Sequence, residues 1–251
     1  MARTKAMPLE HLPRWASAPQ CRPMQLDHDG ALLFPAAFTP AQRGALETVL
    51  APAPAGRPGT RLKPVPGIAA AIEPATAIAA SILGPEAHAV RATLFDKSPA
   101  QNWSLGWHQD RTIAVHARVE MPGYSGWTIK AGIAHVVPPF EVLERMLTLR
   151  IHLDPAGLDN APLLIVPGSH RLGRIGEPDI PAIAARLGEA ACPAAAGDLW
   201  LYATPILHAS ARAANPTRRR ILQLLYSAEN LPGGLEWLGV EADNAAIAAT
   251  P

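Results

Sequence analysis

Hydrophobic positions change their spacing near residue 88. In the first 88 residues, apolar side chains recur at helical spacing in two segments. One helix is predicted to begin at Thr39, which can cap it, because Pro40 suits the first helical position and Gln42 completes a capping box. This helix is expected to run to about Leu50, and a second is predicted over residues 74–83. The first 88 residues are therefore expected to form a mostly helical shell.

From residue 89 onward the pattern becomes one of short β-like runs separated by Pro, Gly and other turn residues. The predicted strands cover residues 89–95, 107–115, 147–153, 163–166, 198–203 and 220–226. An insertion at about 116–146 and a helix-like segment over 180–187 interrupt them. Many short strands of this kind favour a β-sandwich or jelly roll. We expect residues 1–251 to form a single domain, with the catalytic β core at 89–230.

The composition limits the classes of function. Hydrophobic residues make up 49% of the 251 residues and charged residues 17%, which is enough apolar material for a sizeable core. The net charge is +1 and the longest basic run is Arg218-Arg219-Arg220, so nucleic acid is not an expected partner. Neither a secretion signal nor an apolar stretch of about 18 residues is found, so we expect no membrane partner. Cys21 and Cys192 form no CxxC motif, and we expect a cytoplasmic protein with reduced thiols.

The stretch Trp107-His108-Gln109-Asp110 contains candidate metal ligands. Residues two apart in a strand project from the same face, so His108 and Asp110 can meet at one metal ion. Far along the chain, an apolar strand-like run ends in His208. A close His/carboxylate pair plus one distant His is typical of a 2-His-1-carboxylate site. An isolated HxD is a weak motif, however, and a single His in an apolar strand is more often structural.

Several motifs in the same order resemble the phytanoyl-CoA dioxygenase family of iron(II)- and 2-oxoglutarate-dependent oxygenases. Lys97 in a strand precedes the HxD segment, and residues 159–170 are similar to the family's acidic/Asn-Gly…PGSH signature, with Ala161 where Gly is usual. A Gly-Asp turn at 197–198 precedes the distal His, and Arg219 follows that His at the family's spacing. The resemblance covers about residues 89–230, and the first 88 residues carry none of its motifs.

The resemblance implies a cupin-like double-stranded β-helix, a form of jelly roll, with flanking N-terminal helices. It implies that His108, Asp110 and His208 bind Fe(II), while O2 and 2-oxoglutarate, the co-substrate, occupy the remaining positions. Arg219 is expected to bind the far carboxylate of 2-oxoglutarate, because its planar guanidinium can donate two parallel hydrogen bonds. Three other residues match positions lining the co-substrate, although each could equally be an ordinary polar strand residue: Ser210, Lys97 and Gln109.

The implied activity is hydroxylation of a C–H bond in a small metabolite, with succinate and carbon dioxide as co-products. Asp110 favours hydroxylation over halogenation, because related halogenating enzymes have a small residue at that position. Two alternatives remain: a cupin-like metalloenzyme that does not use 2-oxoglutarate, and a catalytically silent jelly-roll binding protein. Arg219 with Ser210 favours the oxygenase, because the other metalloenzyme has no need for an anion clamp.

Substrate-binding residues are predicted in two places. Arg150 stands where the family often has an aromatic residue, so it could bind an anionic group of the substrate or form a structural ion pair. The insertion at 116–146 carries Trp127 and His135 and could form a lid that contacts the substrate. Alternatively it is a surface loop whose Trp127 fills a niche in the core. The identity of the substrate and the oligomeric state stay open.

Overall fold

The structure, a computed structural model, describes residues 23–54, 57 and 59–242. Cys21 and the start of the expected helical shell lie outside the described residues. The helices are α1 (Leu26–Asp29), α2 (Pro40–Leu50), α3 (Ile68–Ala71), α4 (Glu73–Leu83), α5 (Phe140–Glu144) and α6 (Ile180–Leu187). The strands are β1 (Ala31–Phe34), β2 (Thr60–Arg61), β3 (His88–Lys97), β4 (Leu105–His108), β5 (Ile113–Val115), β6 (Ser125–Lys130), β7 (Ile133–Val137), β8 (Leu147–His152), β9 (Leu163–Ile165), β10 (Ala190–Cys192), β11 (Leu199–Ala203), β12 (His208–Ser210) and β13 (Arg219–Ser227).

The larger sheet has six strands in the order β1-β11-β8-β13-β3-β2, and its pairs are antiparallel. Because side chains alternate between the faces of a strand, Leu222 and Leu224 project from one face and Gln223 from the other. The leucine face packs against α2, α3 and α4 in the main hydrophobic cluster. Gln223 and its neighbours line a cavity instead. The helical layer therefore covers one face of this sheet and leaves the other for a site.

A four-stranded sheet, in the order β10-β9-β12-β4, contributes residues from β4 and β12 to the same cavity. The cavity therefore lies between the two sheets, as in a jelly roll. This confirms the predicted fold class, a mainly β jelly roll with N-terminal helices. A third sheet, β5-β7-β6, adjoins the cavity through Lys130 at the end of β6.

The predicted helices agree closely with the structure. Thr39 accepts a hydrogen bond from the backbone of Gln42, and the Gln42 side chain accepts one from the backbone of Thr39, so the capping box is confirmed. The helix ends at Leu50 as predicted, and the segment 180–187 is helical over its whole length. Local capping signals therefore suffice to locate these helices.

Two strand predictions near the metal motif are wrong. Residues 107–115 do not form one strand: β4 ends at His108, and β5 begins only at Ile113. The predicted strand 198–203 agrees with β11, but the strand-like run does not continue to His208, because a turn follows Ala203. His208 therefore begins β12 in the other sheet rather than ending β11. Pro205 lies in that turn, and proline favours such a break because it cannot donate a ladder hydrogen bond.

The insertion has a regular structure of its own. Its strands β6 and β7 pair with each other, and β7 also pairs with β5. A separate hydrophobic cluster that includes Val115, Val136 and Leu143 lies beside this sheet. No helix among the described residues is long and apolar enough to cross a membrane.

Candidate active site

His108, Asp110 and His208 come together in the structure. One ligand atom of each lies within 4.8 Å of the others. The two histidines are directly opposite each other in the pairing of β4 with β12, and their ring centroids are 4.2 Å apart. Asp110 lies two residues beyond the end of β4, so a loop rather than the strand alternation places its carboxylate. The prediction that these three residues share one site agrees with this geometry.

Hydrogen bonds orient both imidazoles. Nδ1 of His108 lies 2.8 Å from the carbonyl oxygen of Gly106, and Nδ1 of His208 lies 3.0 Å from that of Ile206. A ring nitrogen next to a carbonyl carries the proton, so Nε2 of each ring keeps its lone pair for a metal. Two imidazole nitrogens and one carboxylate fit Fe(II), which accepts this donor set with open positions on one side.

The charge states of Asp110 and His208 also suit metal binding. Burial on its own would raise the pKa of Asp110, but Arg91 and the two histidines outweigh it, so the pKa lies below its ordinary value. Oδ2 of Asp110 is buried, accepts no hydrogen bond within the described residues and lies 3.9 Å from Nη2 of Arg91. Burial and the neighbouring His108 lower the pKa of His208 to about 4. The site thus holds a carboxylate and a neutral imidazole at neutral pH.

Gln109 holds the metal loop in place. Its side chain is 3% exposed, and Nε2 donates to the carbonyls of Gly173 and Pro205 at 3.0 and 2.7 Å. Its Oε1 accepts a hydrogen bond from the backbone of Ile175 at 2.9 Å. Gln109 lines the cavity, and its expected place beside the co-substrate stays a prediction. Its amide is engaged by backbone groups, so it also positions the two ligands on either side of it.

Replacing Gln109 by Leu is expected to lower the free energy of unfolding by about 2 kcal/mol or more. The change leaves one N–H and two carbonyl groups without their buried partner, and each unsatisfied group costs about 1–3 kcal/mol. Urea unfolding would measure the effect. Gln101→Leu is the matched control, because Gln101 is exposed and its side chain has no hydrogen bond within the described residues. Equal stability of the two variants would contradict the positioning role.

Three buried cations lie beside the triad: Lys97, Arg150 and Arg219, here called the inner cations. Arg219 and Lys97 are directly opposite each other in the pairing of β13 with β3, and their side chains are 1% and 3% exposed. Nζ of Lys97 donates to Oγ of Ser210 at 3.1 Å and to the carbonyl of Ala211 at 2.9 Å. Lys97 thus links the two sheets, and the structure brings it together with Arg219 and Ser210.

The inner cations repel one another in a site with little solvent. Burial, followed by the charges of Arg219 and Arg150, lowers the pKa of Lys97 to about 7. Burial and Arg150 lower the pKa of Arg219 to about 9. No carboxylate among the described residues forms an ion pair with any of the three. Like charges are costly when buried, so the arrangement calls for a bound anion.

Arg150 belongs to this cluster. Its Nη1 donates to Oε1 of Gln223 at 3.2 Å, and its guanidinium lies 5.2 Å from the centre of the Phe95 ring. It lowers the pKa of Lys97, of Arg219 and of Asp110, so its charge lies close enough to act on all three. The alternative of a structural ion pair is not found within the described residues. Arg150 therefore lines the cavity without a carboxylate partner, and its predicted role in binding an anionic group of the substrate stays a prediction.

Ala161 stands where the resembled motif usually has glycine. Its φ is +52°, in the left-handed region that favours glycine, the residue usual there. Its carbonyl accepts a hydrogen bond from Nη1 of Arg219. The loop thus keeps the conformation that presents this carbonyl to the anion clamp, even with an alanine.

Trp127 and His135 do not line the cavity, which corrects their predicted place in it. Trp127 is partly buried against the hydrophobic cluster of the third sheet, so the alternative of a core niche agrees with the structure. His135 is 1% exposed, and its Nδ1 lies 3.0 Å from the carbonyl of Ile133. Of the insertion's residues, all of which the structure describes, Lys130 is the one that lines the cavity.

Arg91, Arg61 and Lys130 line the cavity and were missed in the sequence. Arg91 could have been found, because it shares the alternation of β3 with Lys97 and so projects from the same face. Arg61 lies beyond a Pro/Gly-rich connector, and Lys130 lies at the end of a strand that the sequence did not predict. Neither carries a local signal of its position.

The cavity holds about 1260 Å³, larger than many small-molecule sites. Apolar side chains form one part of its lining: Leu105, Trp103, Trp107, Ile180 and Ala184. The metal ligands, the inner cations and the three newly found cations form the rest. This volume leaves room for a second molecule beside a five-carbon keto acid.

Comparison with known proteins agrees with this geometry. The family model described as phytanoyl-CoA dioxygenase (PhyH) matches residues 27–221, so the expectation that residues before 89 lie outside the resemblance is wrong. No curated protein sequence matches the chain.

Three solved structures share the fold. EvdMO1 is 18% identical to this chain, with a TM-score of 0.59. The match covers 83% of this chain but only 48% of EvdMO1. EctD from S. alaskensis with 2-oxoglutarate and 5-hydroxyectoine is 19% identical with a TM-score of 0.56, covering 80% of this chain and 73% of its own. The epimerase SnoN in complex with Fe3+, alpha ketoglutarate and nogalamycin RO is 13% identical with a TM-score of 0.55, covering 87% and 93%.

Proposed function

The chain belongs to the phytanoyl-CoA dioxygenase family, and from this premise we propose that it is an iron(II)- and 2-oxoglutarate-dependent dioxygenase that hydroxylates a C–H bond of a small metabolite. The observation that carries the proposal is the convergence of His108, Asp110 and His208 next to buried cations that form no ion pair with a carboxylate of the described residues. A metal site beside an anion clamp fits a co-substrate that is both a metal chelator and a dianion.

Each residue of the site has a distinct task. His108, Asp110 and His208 would hold the metal through two Nε2 atoms and a carboxylate. Arg219 and Lys97 would hold the far carboxylate of 2-oxoglutarate, and Ser210, which accepts a hydrogen bond from Lys97, can donate its own proton to the same group. When bound, iron(II) and 2-oxoglutarate supply the oxidation of a C–H bond by O2, with succinate and carbon dioxide as co-products.

Hydroxylation is the proposed outcome because Asp110 is a carboxylate. In the proposed arrangement it takes a coordination position that halogenating relatives leave to a halide. The structural relative SnoN is an epimerase, so the same chemistry supports other outcomes on this fold.

The product decides among these reactions. Candidate metabolites are first screened for stimulation of succinate formation by the Fe(II)-loaded protein. With an active compound, the reaction is repeated under 18O2, and mass spectrometry is expected to show a product that has gained one labelled oxygen atom. A product of unchanged mass would indicate an epimerase, and a loss of two hydrogens would indicate a desaturase or cyclase. Absence of any 2-oxoglutarate turnover with a broad metabolite set would contradict the oxygenase.

Binding of 2-oxoglutarate is expected to weaken as the pH rises above about 7. Lys97 has its pKa lowered to about 7 by burial and by Arg219 and Arg150, so it is cationic below this pH and becomes neutral above it. A bound dianion raises this pKa, so each complex formed above pH 7 takes up a proton. The dissociation constant should therefore rise by up to about tenfold per pH unit in this window.

Calorimetric titration of 2-oxoglutarate into the Fe(II)-loaded protein under anaerobic conditions, between pH 6.5 and 9 at constant ionic strength, measures this effect. Lys97→Met keeps the apolar stem but removes the titrating group, so its affinity should be lower and nearly constant over the window. A wild-type affinity that does not depend on pH would contradict the role given to Lys97.

A further inference from the structure

A second group of cations lines the cavity apart from the inner cations: Arg61, Arg91 and Lys130, here called the outer cations. Arg61 on β2 is directly opposite Thr93 on β3, and Arg91 is two residues from Thr93. Arg61 and Arg91 are therefore diagonal neighbours on the face of the sheet that lines the cavity. Lys130 approaches them from the end of β6 in the third sheet.

The outer cations act on each other electrostatically. Burial, followed by Arg91, lowers the pKa of Arg61, and burial, followed by Arg61 and Arg91, lowers that of Lys130. Of the acidic side chains, Asp110 is the one that opposes these two shifts. Because Asp110 is a proposed metal ligand, a bound divalent cation would take up its charge and leave the three cations uncompensated.

Few protein groups satisfy the outer cations. Arg91 donates to the carbonyl of Thr112 at 3.3 Å, which fixes its direction. Among the described residues, the side chains of Arg61 and Lys130 have no hydrogen bond and no ion pair. Two further carboxylates line the cavity: Glu177, which pairs with Arg111 at 3.4 Å, and Glu189, which pairs with no cation in the described chain.

The outer cations are separate from Lys97 and Arg219. These two inner cations meet around Ser210 and Ala161, where β13 pairs with β3 and faces β12. Arg150 hydrogen-bonds to Gln223, which is directly opposite Thr93, so it lies between the two groups. The outer cations lie nearer the other end of β3, around Thr93 and Asp110. A five-carbon dianion carries two negative charges, fewer than the six cations of the two groups.

We propose that the outer cations form a second anion site that binds a carboxylate or phosphate group of the substrate. The inference rests on the proposed function, because it assigns this site to the molecule oxidised at the metal. Apolar side chains of β4 and α6 line another part of the same cavity, including Trp107 and Ile180. The substrate is therefore a small acid with an apolar body, held by its charged end so that a C–H bond faces the metal ligands.

Calorimetric titration of two simple probes tests the second site. Hexanoate, a carboxylate with an apolar tail, and inorganic phosphate are titrated separately into protein loaded with Mn(II) and saturated with 2-oxoglutarate, at pH 7 and constant ionic strength. At least one probe should bind, and Arg61→Gln or Lys130→Gln should weaken it about tenfold, because each removes a charge-assisted hydrogen bond. The probe that binds distinguishes a carboxylate from a phosphate.

Lys63→Gln is the matched control, because it removes the same charge two residues from Arg61, at an exposed side chain that does not line the cavity. It should change probe affinity less than twofold, and Arg61→Lys should restore most of the loss. Failure of both probes to bind, or equal weakening by Lys63→Gln, overturns the second site. The second site is also overturned if Arg61→Gln weakens the binding of 2-oxoglutarate instead of the probes.

Failure of the proposed function would look different. In that case 2-oxoglutarate would not bind the Mn(II)-loaded wild type, while probe binding would still depend on Arg61 and Lys130. That result would reject the oxygenase and keep an anion site in the cavity.

Discussion

Replacing His208 by Ala is expected to abolish the weak visible charge-transfer band that the anaerobic wild-type protein should develop with Fe(II) and 2-oxoglutarate. His108→Ala and Asp110→Ala should have the same effect. The three ligand atoms lie within 4.8 Å of one another, and two remaining ligands do not hold iron in the geometry that the keto acid requires. Titration of Fe(II) followed by visible absorption measures the loss, and metal analysis after gel filtration gives an independent value.

A matched control keeps this test specific. His116 is exposed and does not line the cavity, so His116→Ala should retain the full band. Circular dichroism should show that each variant is folded. A band that persists in folded His208→Ala would contradict the assignment of that ligand. Absence of the band in folded, iron-loaded wild-type protein would reject the oxygenase itself.

Arg219→Ala is expected to raise the dissociation constant of 2-oxoglutarate about a hundredfold while leaving Fe(II) bound. Arg219 is 1% exposed and is a clamp for a carboxylate in a site with little solvent, where a charged hydrogen bond is worth most. The metal ligands do not depend on it for a hydrogen bond: their Nδ1 atoms bond to the carbonyls of Gly106 and Ile206. Calorimetric titration and iron analysis separate the two effects.

The neighbour Arg218 provides the control. It immediately precedes β13, is largely exposed, and its Nη2 lies 3.4 Å from Oδ2 of Asp96. Arg218→Ala should therefore leave 2-oxoglutarate binding unchanged. Arg219→Lys keeps the charge but loses the planar fork, so its affinity should lie between those of the wild type and the alanine variant. Lower iron affinity with unchanged 2-oxoglutarate affinity in Arg219→Ala would refute the clamp.

Alternation along strands made the position of Arg219 predictable. It separates Arg219 from Arg218 and Arg220, and the structure buries Arg219 while Arg220 pairs with Asp154 and Glu47 at 2.7 and 2.8 Å. The period of two along a strand predicts the side of the sheet on which a residue lies. It cannot predict which carboxylate pairs with Arg220, because Glu47 belongs to a helix far away in the sequence.

The metal motif shows a similar division. The sequence identified His108 and Asp110 from their spacing in a single strand, yet β4 ends at His108 and a loop presents Asp110. The amide of Gln109 holds this loop against Gly173, Ile175 and Pro205, three residues from other segments. The spacing of His108 and Asp110 therefore identified two residues that share one site, but strand alternation is not what brings them together. The loop that does so depends on contacts with distant segments, which no local pattern encodes.

By itself the sequence determined the helices with capping signals, most of the core strands, the family and the chemical types that the site needs. These features depend on local propensity, on the period of hydrophobic positions and on motifs in a fixed order. Only the tertiary structure decided that His208 faces His108 across two strands, that Arg150 joins the inner cations, and that Arg61 and Lys130 meet in the same cavity. The reason is physical: electrostatic interactions depend on distances across paired strands and packed sheets, and segments far apart in the sequence set those distances.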